Sequence, residues 1–167
     1  MENHRTRTIQ WDDPMPAARA GMGMSGLEYM QQLLAGKFAP PPIAQTLGFG
    51  LVEVAEGYAV FEGIPGEYLY NPIGVVHGGW AATLLDSAMG CAVHTTLEQG
   101  MIYTTLPINI NLVRPITSDM NIVRCEATVL HSGRRSATAE GKLFEENGKL
   151  LAHGSTTCIV MPLASTE

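Results

Sequence analysis

Residues 71–95 read NPIGVVHGGWAATLLDSAMGCAVHT, a tight loop and a double glycine followed by the pattern of one helix. The helix is predicted over about residues 79–95. Its apolar side chains fall on every side of a 3.6-residue period, which predicts a helix buried at the centre of the fold. It is too short to span a bilayer comfortably and has an acid at its middle, so a membrane-spanning helix is excluded.

That acid is Asp86, the only charged residue between Val75 and Val93. None of its helical neighbours three or four positions away is basic. A carboxylate among apolar side chains without an ion partner is costly to bury, and such groups are often functional. The alternative is an acid at a local solvent gap, satisfied by the hydroxyl of Thr83 or Ser87.

The helix is preceded by His77, Gly78 and Gly79. The first N–H groups of a helix have no acceptor within it, and glycines let a ligand approach them closely. Two glycines at such an end can form an oxyanion hole, a set of donors aimed at a carbonyl oxygen that becomes negative. The alternative is a plain glycine-rich helix entry.

Gly78 and Asp86 are eight residues apart, which is roughly 12 Å along a helix axis. Groups that act on the same reacting atoms must lie within about 3 Å of them, so one helix cannot supply both. If the two residues act together, we expect them to come from two antiparallel copies of the helix across a two-fold axis.

The motif N-P-x-G-x-x-H-G-G, with Asp86 seven residues after its second Gly, resembles the PaaI-like acyl-CoA thioesterases of the hotdog-fold superfamily. The resemblance covers roughly residues 40–160. It implies an α+β fold in which one antiparallel sheet wraps a long central helix, assembled as a homodimer or a dimer of dimers. The implied partner is an acyl-CoA substrate, with no cofactor beyond the coenzyme A that belongs to that substrate.

The same resemblance assigns roles to individual residues. Asp86 is implied as general base or nucleophile, and the Gly78 amide as donor to the thioester oxygen, from the opposite subunit. Asn71 is expected to orient water or substrate, and His77 to shape the loop ahead of the helix. In the family a hydroxyl near residue 104 or 105 approaches the catalytic acid. Thr105 is better aligned than Thr104, although both could be ordinary strand threonines.

Substrate binding is expected to involve further residues. Gly79 is a possible second amide donor beside Gly78. Arg114, Arg134 and Arg135 are candidates for the phosphates of coenzyme A, because the planar guanidinium suits phosphate and similar basic residues contact the nucleotide in relatives. The alternative for each arginine is a solvated surface side chain.

Composition narrows the function classes. The 167 residues are 46% hydrophobic and 16% charged, which is typical of one packed domain, and the net charge of −6 disfavours binding to nucleic acid or to an anionic membrane. The first residues have no apolar core of signal-peptide length, so a cytoplasmic location is expected. The five histidines show no metal-ligand spacing, and no metal site is predicted. Cys91 and His94 lie on one helix face, which leaves a thiol nucleophile as a minor alternative.

Along the chain, residues 1–24 are predicted to be an extension without regular structure. Residues 25–167 are predicted to form one hotdog domain that begins with a short helix over residues 26–35, where Ser25 and Glu28 form a capping-box pattern. One helical turn is expected over residues 43–47. Strands are predicted over residues 48–54, 58–64, 101–114, 120–131, 135–145 and 149–161. In the third of these, Leu106, Ile108, Ile110 and Leu112 are expected to form one apolar face toward the helix. Pro107 within the same strand indicates a sheet edge or a bulge.

The predicted function is hydrolysis of an acyl-CoA to free acid and coenzyme A, with phenylacetyl-type aromatic acyl groups among the candidate substrates. The first alternative is a hydratase or dehydratase of the same fold, which generally pairs an acid with a catalytic histidine. The second is an acyl-CoA binding module without turnover.

Overall fold

The computed structural model describes residues 4–163. Its helices are α1 (Met15–Gly21), α2 (Gly26–Leu34), α3 (Pro42–Leu47) and α4 (Gly78–His94). A single 3-10 turn, Glu67–Leu69, precedes the loop that leads into α4. The strands are β1 (Phe49–Ala55), β2 (Tyr58–Gly63), β3 (Met101–Leu112), β4 (Val123–Ser132), β5 (Ser136–Glu145) and β6 (Leu150–Pro162).

The six strands form one antiparallel sheet in the order β1-β2-β4-β5-β6-β3, and α4 packs across one face of it. Leu84, Leu85 and Met89 of α4 are fully buried against the strands. Gly141 of β5 permits the close approach, since a Cβ there would lie 3.0 Å from Met89 Cγ. The predicted fold, a long helix wrapped by one antiparallel sheet, is confirmed.

The predicted element bounds agree with the structure to within a few residues, with one element missed. Residues 1–24 were expected to have no regular structure, but α1 lies there. It begins where Asp13 Oδ1 accepts a hydrogen bond from the Met15 N–H at 2.9 Å. None of its residues is buried. A helix that buries no side needs no apolar face, and a regular apolar period is the pattern by which a helix is recognised in a sequence. Residues 1–3 and 164–167 of the predicted extension and domain lie outside the described residues.

The predicted apolar face of β3 is correct only in part. Ile108 and Ile110 point toward the core, and Leu112, although 57% exposed, lies beside Gly78 of α4, but Leu106 is 55% exposed and out of phase with them. The pairing of β3 with β6 shifts register between Thr105 and Ile108, so the strand changes phase at this irregularity. Both readings of Pro107 are confirmed, because β3 lies at the edge of the sheet and the irregularity falls on Pro107.

The prediction that α4 is buried on all sides is wrong for the single chain. Its sheet side is buried, but the opposite stripe, which includes Gly79, Thr83 and Asp86, is open or half-buried. One sheet covers only one side of a helix, so an apolar helix of this kind needs a second layer on its free side. Within residues 4–163, no helix is both long and apolar enough to cross a membrane.

Candidate active site

Asp86 and Thr105 meet across the gap between α4 and β3. The Thr105 hydroxyl donates a hydrogen bond to Asp86 Oδ1 at 3.1 Å. The carboxylate is exposed in the single chain, which corrects the expectation of a buried acid, and the structure pairs it with Thr105 rather than with Thr83. Thr83 instead donates to the Gly79 carbonyl at 2.9 Å. Thr104 is exposed on the other side of the strand, so the structure does not bring it to Asp86.

An apolar cavity of about 350 Å³ opens beside Asp86 and Thr105. Asp86 is the one charged side chain in its lining. Its walls come from α2, α3 and the first three strands and include Leu33, Ile43, Ala44, Phe49, Phe61 and Tyr103. Sequence analysis did not identify the wall contributed by α3. The available signal was the pair Ile43-Ala44 directly after three prolines.

The start of α4 presents one free amide. His77 is the N-cap residue, and its Nδ1 accepts a hydrogen bond from the Gly79 N–H at 2.8 Å. Within the described residues the Gly78 N–H has no such partner. Gly78 is therefore the available oxyanion donor, whereas the Gly79 amide, proposed as a second donor, is already occupied in this conformation.

Asn71 organises the loop before the helix. Its side-chain oxygen accepts from the N–H groups of Ile73 and Val75, at 3.0 and 3.3 Å. The turn also needs Gly74, whose φ of +81° lies in the left-handed region. Among the described residues no hydrogen bond engages the amide nitrogen of the Asn71 side chain, so this nitrogen is available to a ligand.

Asn71, Gly78 and Arg114 line a second cavity of about 270 Å³, and Asp86 is absent from its lining. Arg114 also donates to the Leu150 carbonyl, which fixes its position beside this cavity. The predicted site residues therefore fall into two half-sites within one chain. The acid half-site contains Asp86 and Thr105, and the amide half-site contains Asn71, His77 and Gly78.

Arg134 and Arg135 lie away from both half-sites. They line an open groove of about 1150 Å³ beside Thr96 and Glu98, just beyond the C-terminal end of α4. Both side chains are exposed and make no hydrogen bond or ion pair within residues 4–163. They are thus available to an anionic ligand, although the single chain does not bring them to Asp86.

The alternative of a Cys91 nucleophile is disfavoured. Burial, with a smaller effect of the nearby Asp86 carboxylate, raises the pKa of the Cys91 thiol to about 12, so the thiolate is scarce at neutral pH. Burial lowers the pKa of His94, and His94 Nδ1 has no hydrogen-bond partner. The two side chains therefore do not form an activated pair. Among residues 4–163, no three His, Cys, Asp or Glu side chains are grouped as a metal site would require.

Comparison with known proteins bears on this arrangement. Residues 73–152 match the family model described as the thioesterase superfamily. The chain is 34% identical over 108 residues to acyl-coenzyme A thioesterase 13 of Homo sapiens, covering 64% of this chain and 76% of the human protein. It is 28% identical over 118 residues to 1,4-dihydroxy-2-naphthoyl-CoA hydrolase of Listeria monocytogenes, covering 71% of this chain and 94% of that enzyme.

Among solved structures, the chain resembles a phenylacetic acid degradation-related protein from Ralstonia eutropha JMP134. The two are 30% identical with a TM-score of 0.71, over 78% of this chain and 98% of the other. The matched family segment contains His77, Gly78, Asp86 and Thr105, the residues that form the core of the two half-sites. With its hotdog architecture and its thioester-hydrolase relatives, this chain belongs to the thioesterase superfamily.

Proposed function

We propose that this protein hydrolyses an acyl-CoA thioester to a free acid and coenzyme A, with Asp86 as the catalytic acid–base or nucleophile. The observation that carries the proposal is the Asp86 carboxylate, oriented by Thr105 at the mouth of an apolar cavity. A carboxylate in this position can act on a carbonyl whose acyl chain occupies the cavity. The membership of the chain in the thioesterase superfamily supports the same reaction.

In the general-base route, Asp86 removes a proton from water as the water oxygen attacks the thioester carbonyl. The carbonyl oxygen becomes negative and accepts a hydrogen bond from the Gly78 N–H. The carbon–sulfur bond then breaks, and the thiolate of coenzyme A leaves with the proton returned by Asp86. In the alternative route the Asp86 carboxylate attacks the thioester carbonyl, the carbon–sulfur bond breaks and the coenzyme A thiolate leaves, and water then hydrolyses the resulting anhydride to the free acid and Asp86. Both routes require the same carboxylate and the same amide donor.

A homodimer is part of the proposal. The two half-sites lie on one helix, and the eight residues from Gly78 to Asp86 span roughly 12 Å. Two antiparallel copies of α4 would bring the acid half-site of one chain to the amide half-site of the other. The edge strand β3 and the exposed side chains of Leu106 and Leu112 beside it favour an interface on this side of the molecule.

The residues that line the cavities indicate which substrates the protein prefers. The cavity beside Asp86 suits an uncharged apolar acyl group, and Phe49, Phe61 and Tyr103 favour an aromatic one. Arg114, Arg134 and Arg135 are the proposed partners of the coenzyme A phosphates. The cytoplasm is the proposed location, which the three unpaired cysteines support.

The decisive experiment measures thiol release from a panel of acyl-CoA substrates, including phenylacetyl, hydroxyphenyl and straight-chain types. Asp86→Ala and the isosteric Asp86→Asn are expected to lower kcat by at least about a hundredfold, since a positioned acid–base group contributes that much. Glu140→Gln, at an exposed acid on the face of β5 turned away from α4, is the control and should retain full activity. Turnover at the wild-type rate by both Asp86 variants would refute the assignment.

The geometry of the site gives less support to the two alternative functions, a hydratase and an acyl-CoA binding module. A hydratase of this fold would need a histidine opposite the acid, but His77 Nδ1 is occupied by the Gly79 N–H at the helix start. Hydration of a crotonyl-type thioester without thiol release would favour that activity. Tight binding of acyl-CoA with no release of coenzyme A by the wild type would favour a binding module instead.

A further inference from the structure

Arg7, in the segment before α1, joins two parts of the domain. Its guanidinium donates to the carbonyl of Thr46 at 2.6 Å and to that of Gln45 at 3.4 Å. The guanidinium carbon also lies 3.9 Å from the centre of the Tyr68 ring, a cation–π contact. One side chain from the N-terminal extension therefore links the end of α3 to the 3-10 turn Glu67–Leu69.

The first partner of Arg7 is a helix that depends on outside support. With six residues, α3 is too short to be stable alone, and its last carbonyls have no acceptor role within the helix. Arg7 satisfies those of Gln45 and Thr46, and the Trp80 indole N–H donates to that of Leu47 at 2.9 Å. These three hydrogen bonds hold the C-terminal end of the helix in place.

This matters for the site because α3 forms part of the wall of the cavity beside Asp86. Ile43 and Ala44 contribute to the cavity lining, and Ala44 is buried. A small movement of α3 would change the shape of the space available to the acyl group. Arg7 itself does not line that cavity, so its influence would pass through α3.

The second partner of Arg7 is connected to the amide half-site. Tyr68 is followed by Leu69, whose carbonyl accepts a hydrogen bond from the His77 N–H at 2.8 Å. His77 in turn caps α4 and holds the Gly79 amide, which leaves the Gly78 N–H as the available donor. The contacts of Arg7 thus lead to both half-sites of the same chain.

We propose that Arg7 is a positioning residue that sets acyl-group selectivity by bracing α3 against the turn before the Asn71 loop. The proposal rests on the thioesterase activity proposed above. It assigns a role in that activity to the N-terminal extension, which lies outside the segment matched by the family model. The nearby ion pair between Arg5 and Glu67 joins exposed side chains and is expected to add little.

The test compares Arg7→Ala, Arg7→Lys and the control Arg19→Ala, at an exposed arginine of α1, in the full-length protein, with kcat and KM measured for a small and a bulky acyl-CoA. In Arg7→Ala we expect the ratio of kcat/KM for the two substrates to change by about tenfold, since small misplacements near a site have effects of this size or more. Arg7→Lys keeps the charge but loses the planar fork, so it should recover the ratio only in part. Arg19→Ala should match the wild type.

Melting temperature and oligomeric state are recorded for each variant. An unchanged selectivity ratio in a folded Arg7→Ala protein would overturn the proposal, as would an equal loss of activity on both substrates accompanied by a lower melting temperature. The latter result would mean that Arg7 only stabilises the fold. Wild-type protein that releases no thiol from any substrate would instead refute the proposed function, so the two failures are distinguishable.

Discussion

At the scale of single residues, Thr105 is the group that most directly orients the Asp86 carboxylate. Thr105→Val removes the hydroxyl and keeps the branched shape that suits a strand. A hydrogen bond to a charged group is worth about 1.5 kcal/mol at the lower end of its range, so kcat/KM should fall by about tenfold. The measurement is steady-state thiol release with the best substrate of the panel.

Thr104→Val is the matched control, because Thr104 is the adjacent threonine of the same strand and is exposed on its other side. It should keep wild-type activity. Equal activity losses in the two variants would show that the strand, and not the hydroxyl facing Asp86, is responsible.

The sequence predicted the proximity of Thr105 and Asp86 but not the environment of the acid. The proximity came from a family resemblance, which carries three-dimensional information that spacing along one chain lacks. The burial of Asp86 was inferred from its apolar neighbours in the helix. Those neighbours face the sheet, whereas Asp86 lies on the side of the helix that the rest of the described chain leaves exposed.

At the scale of elements, the beginning of α4 depends on the His77 cap. His77→Ala removes the acceptor of the Gly79 N–H, a loss that typically costs about 1 kcal/mol at an N-cap. For a domain of this size the melting temperature should fall by roughly 2–4 °C. Asn is among the best N-cap residues, so His77→Asn should restore the melting temperature, measured by calorimetry or circular dichroism.

The same two variants separate a capping role from an acid–base role. If His77 acts only by shaping the helix start, His77→Asn should recover most of the kcat that His77→Ala loses. If the imidazole transfers protons, both variants should lose kcat to the same extent, and the hydratase reading would gain support.

Elements with a regular apolar period were predictable, and those shaped by local exceptions were not. The capping pattern at Ser25 gave α2, and its hydroxyl does accept from the Glu28 N–H at 3.3 Å. In β3, Pro107 predicted a bulge. The sequence alone does not show at which residue of the bulge the alternation of inward and outward side chains reverses. The exposed position of Leu106 depends on that local geometry.

At the scale of the whole molecule, the central question is whether one chain contains a complete site. The acid half-site and the amide half-site open into different cavities of the same chain. The arrangement makes chemical sense if each site takes Asp86 from one subunit and Gly78 from the other. The mass in solution, measured by light scattering, should then be at least twice the 17.9 kDa of one chain.

A mixing experiment tests the shared site directly. Asp86→Ala lacks the acid, and Gly78→Pro lacks the donor N–H, at the first position of α4, where proline is tolerated. Each variant alone should be inactive. When equal amounts are unfolded and refolded together, half of the dimers are mixed, and each mixed dimer has one site with both residues intact. The expected recovery is about a quarter of wild-type activity, as two-fold symmetry dictates.

A mixture of Asp86→Ala with Asp86→Asn is the control and should stay inactive. If the two complementary variants also stay inactive although mixed dimers have formed, the site lies within one chain. The Gly78 amide and the Asp86 carboxylate could then meet only if the first two turns of α4 unwound, which the burial of Trp80, Leu84 and Leu85 opposes.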